Sequence, residues 1–141
     1  MLETTRDREL ALITGRWGAP SDLRSAALTW FSDEVMFSAD DIVAGAEIAL
    51  GLSEQFRAEE VVSDVRVGLA YGPVLQYEGD LYGPIVNLAH RIVGIAYPGS
   101  VVVPEPVEQA LDADGRFTLH SIRAHTLRDI GKVPLWLLRR K

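Results

Sequence analysis

Residues 79–91 read GDLYGPIVNLAHR. A Gly/Asp turn gives way at Pro84, a residue favoured in the first turn of a helix. Ile85, Val86, Leu88, Ala89, Ile92 and Val93 then supply an apolar face at helical spacing. Inside that run stand Asn87 and Arg91, four residues apart and so on one side of the helix. An amide and a guanidinium in a helix with this much apolar surface to bury pose the functional question. Upstream, DVRVGLAYG (64–72) alternates Val65, Val67, Leu69 and Tyr71 as a strand does. Gly72-Pro73 reads as a turn, with VLQYEG as the returning partner strand. Downstream, the helix should end near Pro98-Gly99 and be followed by a short buried strand in SVVVP. PEPVEQAL reads as a short helix, and RFTLHSI, HTLRDI and VPLWLL as three closing strands.

Before residue 64 the pattern weakens. LALITGRW fits a short helix or strand ending at Gly15, and GAPSD has loop composition. AALTWF and EVMFSA are short β-prone runs that read as a hairpin with Asp33 at its tip. Asp40 or Asp41 can cap a helix running to about Glu59, in which Ile42, Val43, Ala46, Ala49 and Leu52 recur at helical spacing. Hairpins and helices mixed in one chain predict an α+β fold.

The chain has 141 residues, 48% of them hydrophobic and 24% charged, which suits one compact domain. With no Cys, disulfides, thiolate nucleophiles and Cys-ligated zinc are excluded. The N-terminus MLETTRDREL is too charged for a signal peptide, and no apolar run approaches the ~18 residues a membrane span needs. These features predict a cytoplasmic protein without a membrane partner. The net charge of −6 argues against a nucleic-acid partner. An anionic ligand must therefore be held by a few placed cations, which favours a small phosphate-bearing molecule.

Arg91 offers a donor fork matched to phosphate oxygens, and Asn87 can orient a sugar or phosphate oxygen. The plainer account leaves both at a helix edge, in contact with solvent. Asp80, in the turn before the helix, either ends a loop or accepts hydrogen bonds from a base amino group. Asp33 is either an ordinary turn residue or a metal ligand held at a rigid tip. Arg128 is either a surface cation beside Asp129 or a phosphate contact. His90, His120 and His125 have no metal-type spacing.

Taken together and in order, these segments resemble the class III nucleotide cyclase catalytic domain, the family of adenylate and guanylate cyclases. DVRVGLAYG and GDLYGPIVNLAHR match that family's strand and its GD.xGxxVNxAxR helix, and PGSVVVP matches the strand that follows. SDEVMF is similar to its GDxxM hairpin, and LRDIGKVPLWLL to its closing strands. The resemblance covers roughly residues 27–138, so residues 27–141 are assigned to the cyclase homology domain and 1–26 to a divergent N-terminal segment. It implies a ferredoxin-like α+β domain with a central, mostly antiparallel sheet and helices packed on it. It implies ATP as substrate and conversion to cyclic AMP and pyrophosphate by a two-metal mechanism. Asn87 and Arg91 would be the catalytic pair, Asp80 the reader of the adenine amino group, and Arg128 a contact to the terminal phosphates. Asp33 would be one of two aspartates holding Mg²⁺ or Mn²⁺. The site would form in a homodimer, or in a heterodimer with another cyclase domain.

The chain also departs from the family. The first-strand motif F.D..GFT, which carries the other metal aspartate, has no counterpart in residues 1–26. That strand is therefore expected to be missing or altered. Thr29 stands where an adenine-reading Lys is expected, and Ser32 where a Gly usually precedes the hairpin aspartate. Three readings follow: a cyclase that recruits a metal ligand from residues 1–26, a non-catalytic nucleotide-binding or dimerisation module that pairs with an intact cyclase, and a chain that has lost its function.

Overall fold

The computed structural model describes residues 6–18, 34–57, 64–78 and 80–141. Strand β1 (Arg6–Gly18) opens the fold, followed by β2 (Glu34–Ala39) and helix α1 (Ile42–Arg57). Next come β3 (Asp64–Tyr77), β4 (Asp80–Tyr82) and helix α2 (Pro84–Ile95). The chain closes with β5 (Val101–Pro104), the short helix α3 (Glu105–Leu111), β6 (Phe117–Leu127) and β7 (Gly131–Arg140). The strands form one sheet in the order β2-β1-β3-β5-β7-β6, with β4 added beside β3. Among the described residues only the β3–β5 pairing is parallel. This is the mixed α+β, mostly antiparallel architecture expected.

The period-2 pattern of β3 explains the layers. Val65, Val67 and Leu69 point to one face, where they meet Ala46, Ala49 and Leu50 of α1 and Val107 and Leu111 of α3. Ala70 and Val74 point to the other face, against Ala89 and Ile85 of α2. Strand β1 divides in the same way, with Ala11 and Ile13 on the α1 face and Leu10 and Leu12 on the α2 face. Helix α2 can lie close because β3 carries Gly68 and Gly72 beneath it. A Cβ on Gly72 would come within 2.8 Å of Ile85 Cδ1.

Two expectations need correction. Gly72-Pro73 is not a turn, because β3 runs straight through it. Pro73 falls between Val67–Gly68, paired with β5, and Leu75–Tyr77, paired with β4. A strand tolerates a missing N–H at such a break in its flanking ladder. The closing region has two strands rather than three, since β6 carries a register irregularity between Ile122 and His125. The first strand is present: β1 pairs with β2 on one side and with Asp64–Gln76 of β3 on the other. It is altered in sequence, not missing. EVMFSA is β2 and its described partner is β1, whereas AALTWF and Asp33 lie outside the described residues.

Local signals hold elsewhere. Asp41 caps α1, its Oδ1 accepting from the Ala44 N–H at 2.8 Å. Pro84 opens α2. The turn after α3 is fixed by Asp114, whose carboxylate accepts from the Arg116 N–H, Nε and Nη2 at 3.0, 3.0 and 2.8 Å. These side-chain and backbone hydrogen bonds hold the Asp114 carboxyl down at about 2. A carboxyl depressed in the folded state stabilises above its unfolded value near 3.8 and loses that contribution as pH falls towards 2. Asp114→Asn should therefore melt below the parent chain at pH 7, and the gap should close between about pH 4 and pH 2. Thermal melts across that range check it, and a gap of constant size would contradict it.

Candidate functional site

Helix α2 buries Ala89, Ile92 and Val93 against the sheet. That orientation turns Asn87 out to solvent and leaves Arg91 half-exposed. Four residues apart, they stand one turn from each other. Asn87 lines an open cleft of about 500 Å³ with Leu81, Tyr82, Gly83, Pro84, Val86, Asp129 and Ile130. The cleft has two walls: β4 with the first turn of α2, and the turn joining β6 to β7. Arg91 reaches this rim by donating from Nη2 to Asp129 Oδ2 at 3.4 Å.

Asp80 opens β4, exposed and paired in register with Tyr77. Its Oδ2 accepts from the Tyr82 hydroxyl at 3.4 Å. Loss of solvent around that phenol, and then the Asp80 charge, push the Tyr82 hydroxyl above its ordinary value. Arg128 is exposed in the β6–β7 turn, next to Asp129. One end of the sheet thus gathers Asn87, Arg91 and, through their neighbours Tyr82 and Asp129, the segments carrying Asp80 and Arg128. Asp33 lies outside the described residues.

Tyr82, Asp129 and Ile130 were not singled out by sequence. Tyr82 had a signal, since positions 80 and 82 of a strand share a face. Ile130 and Tyr82 remain 42% and 47% exposed, so the cleft has an apolar rim facing solvent. A larger cleft of about 590 Å³ lies between α1, residues 97–100 and β7. Its Arg140 is already engaged by Glu54, at 2.7 Å, and by Glu47.

The metal ions implied by the resemblance were tested against the donors present. Among the described residues no group of three His, Asp or Glu side chains could hold a metal ion. At the end of β1 nearest the start of β2, the register sets Gly15 opposite Val35 and Arg16 opposite Glu34. Neither Gly15 nor Arg16 carries a carboxylate, so these positions add no second acid and the described donors do not make up a two-metal set. No helix among the described residues is long and apolar enough to cross a membrane.

The chain thus presents a mostly antiparallel sheet flanked by helices, with Asn87 and Arg91 one turn apart beside an open cleft. Residues 33–140 match the family model for the adenylate and guanylate cyclase catalytic domain, and the chain belongs to that family. It is 36% identical over 101 residues to an adenylate cyclase of Glutamicibacter nicotianae, covering 72% of this chain and 25% of the relative. It is 32% identical over 147 residues to a pH-sensitive adenylate cyclase of Mycobacterium tuberculosis, covering 98% of this chain and 37% of the relative. The chain thus spans a quarter to about a third of the length of these relatives. Its fold superposes with a TM-score of 0.80, at 17% identity, on the catalytic core of a rhodopsin-guanylyl cyclase with converted specificity in complex with ATPαS, covering 97% of this chain and 99% of that one.

Proposed function

We propose that this chain is an adenylate cyclase-type domain that contributes its Asn87/Arg91 helix to a site shared by two chains and turns over poorly alone. The observation that carries this reading is the placement of Asn87 and Arg91, one turn apart, at an open cleft. In the reaction the ribose 3′-oxygen attacks the α-phosphorus, the bond to the bridging oxygen breaks, and pyrophosphate leaves as the 3′-hydroxyl proton is lost. Asn87 orients the ribose. Arg91 stabilises the charge that grows on the α-phosphate oxygens, an interaction stronger in the transition state than in the ground state. Asp80 accepts from the adenine amino group, and Arg128 meets the terminal phosphates. The relatives named adenylate cyclase support ATP as the substrate, as does the ATPαS bound by the structural neighbour.

The distance between Asp80 and the β1–β2 end supports a site built by two chains. Glu34, which follows Asp33, pairs with Arg16, and Arg16 pairs with Arg66 near the start of β3. Asp80 pairs with Tyr77 at the other end of that strand. At ~3.3 Å per residue these positions stand roughly 35 Å apart. A carboxylate at the first end therefore cannot share a nucleotide with Asp80 of the same chain. In a homodimer the second copy brings the other half, with Asp33 as its one recognised metal aspartate. A heterodimer with another cyclase domain brings it intact, and the apolar rim at Tyr82 and Ile130 suits either contact. Impairment follows from Gly15 and Arg16 opposite β2, because Asp33 is left as the one recognised metal aspartate. The same observation favours a second reading, in which the chain is a non-catalytic nucleotide-binding or dimerisation module.

The test is cyclic AMP formation by the purified chain with ATP and excess Mn²⁺, beside an Arg91→Ala control. Formation near the blank, with ATP still bound, is expected. Brisk turnover that vanishes in the control would overturn the impairment while keeping the reaction. Turnover indifferent to Arg91 would overturn the assignment of the site.

A further inference from the structure

Arg91 meets a carboxylate of its own chain. Asp129, which accepts from Arg91 Nη2 at 3.4 Å, also lines the cleft beside Asn87. The carboxylate therefore stands on the side from which an anion in that cleft would approach Arg91. Its backbone is left-handed, with φ 64, in a turn closed by the Ile130 N–H donating to the Leu127 carbonyl at 3.1 Å. The Asp129 side chain is 78% exposed against 39% for Arg91, so the pair is wet and weakly held. Nothing in the packing of the turn requires an acid there.

We propose that Asp129 is a positioning residue that competes with phosphate for Arg91 and thereby sets the affinity of this site for a nucleoside triphosphate. The inference rests on the reading of Arg91 as the phosphate-binding residue. A triphosphate entering the cleft must displace one carboxylate from the guanidinium and come to rest beside its charge. Both effects weaken binding, and both depend on the phosphates rather than on the base. A weak, exposed pair can be displaced by a multiply charged ligand, so the contact filters ligands by charge without closing the site.

Asp129→Asn removes the charge, preserves the shape and keeps a residue that readily adopts left-handed backbone, so the turn survives. The probe is the non-cyclisable α,β-methylene analogue of ATP with Mn²⁺, titrated into the parent chain, Asp129→Asn, Arg91→Ala and the double variant. Asp129→Asn is expected to bind roughly three- to tenfold more tightly at about 50 mM salt, the gain fading at about 500 mM as screening shortens the reach of the charge. The gain should vanish in the Arg91→Ala background, and adenosine, which has no phosphate, should bind all four chains alike. If Arg91→Ala weakens binding but Asp129→Asn matches the parent chain, the nucleotide site stands and the role of Asp129 is overturned. A gain that persists without Arg91 overturns it too. If no chain binds the analogue, or Arg91→Ala binds as well as the parent chain, the nucleotide reading itself falls and this inference falls with it.

Discussion

Mixed with a cyclase domain that keeps its metal aspartates but lacks its own catalytic Asn and Arg, this chain is expected to restore cyclic AMP formation. Arg91→Ala in this chain is expected to cut the restored rate by ~10³-fold or more, the scale of an arginine that stabilises charge in phosphoryl transfer. The expectation follows from two separate parts of the chain, the β1–β2 pair and helix α2. One half of the site needs acids beside the β1–β2 pair, where this chain presents Gly15 and Arg16. The other half needs an amide and a guanidinium one turn apart, and α2 presents both at an open cleft. The departures lie in the first part only, so a partner can make them good. Arg91 is half-exposed and Ala favours helix, so the variant should fold and the loss should report chemistry. Failure of the folded chain to rescue such a partner would sink the shared-site reading, and a rescue insensitive to Arg91 would sink the role of that residue.

The second large effect is on stability. Gly68→Val is expected to destabilise the fold by about 3 kcal/mol or more, at the upper end of overpacking costs. A Cβ at Gly68 would lie 3.0 Å from the Val93 backbone nitrogen, 3.1 Å from the Ala89 carbonyl oxygen and 3.1 Å from Ile92 Cγ2. Two of those three atoms are backbone, so no rotamer change relieves the contact and α2 must lift from the sheet. Valine adds two methyl groups to the same gap. A melting temperature lower by about 10 °C is expected for a chain of this size. Nucleotide binding should weaken as well, since Ala89 lies between Asn87 and Arg91 on the displaced helix. A melt within a degree or two of the parent chain would show that the helix can yield and that the close approach is incidental.

The sequence was most legible where the cause of structure is local. Pro84 starts α2, Asp41 caps α1, and the short apolar run at Val101–Val103 is a buried strand. It was least legible where the cause lies across the fold. Leu10, Ala11, Leu12 and Ile13 are all buried, because β1 has a helix layer on each face. Such a strand shows no alternation, and so helix and strand could not be told apart. Gly72-Pro73 carries a strong turn signal, yet Gly72 is there to admit Ile85. In β6 the irregularity after Ile122 looked like the end of a strand. The pairing of Arg91 with Asp129 joins positions far apart in the chain, and spacing along the sequence says nothing about it.

The position of β1 has a consequence for how the molecule is made. The first of the described strands lies inside the sheet, yet both of its neighbours, β2 and β3, come later in the chain. During synthesis, the apolar run from Leu10 to Ile13 leaves the ribosome well before Val65–Val74, the stretch of β3 that will cover its flank. Pairings of such long range close slowly, on a scale of ~ms to s. Until then the nascent chain displays an unpartnered apolar strand, the kind of surface that recruits chaperones or a second nascent copy. Slower translation across residues 64–77 would prolong that interval, and the yield of soluble protein should fall with it.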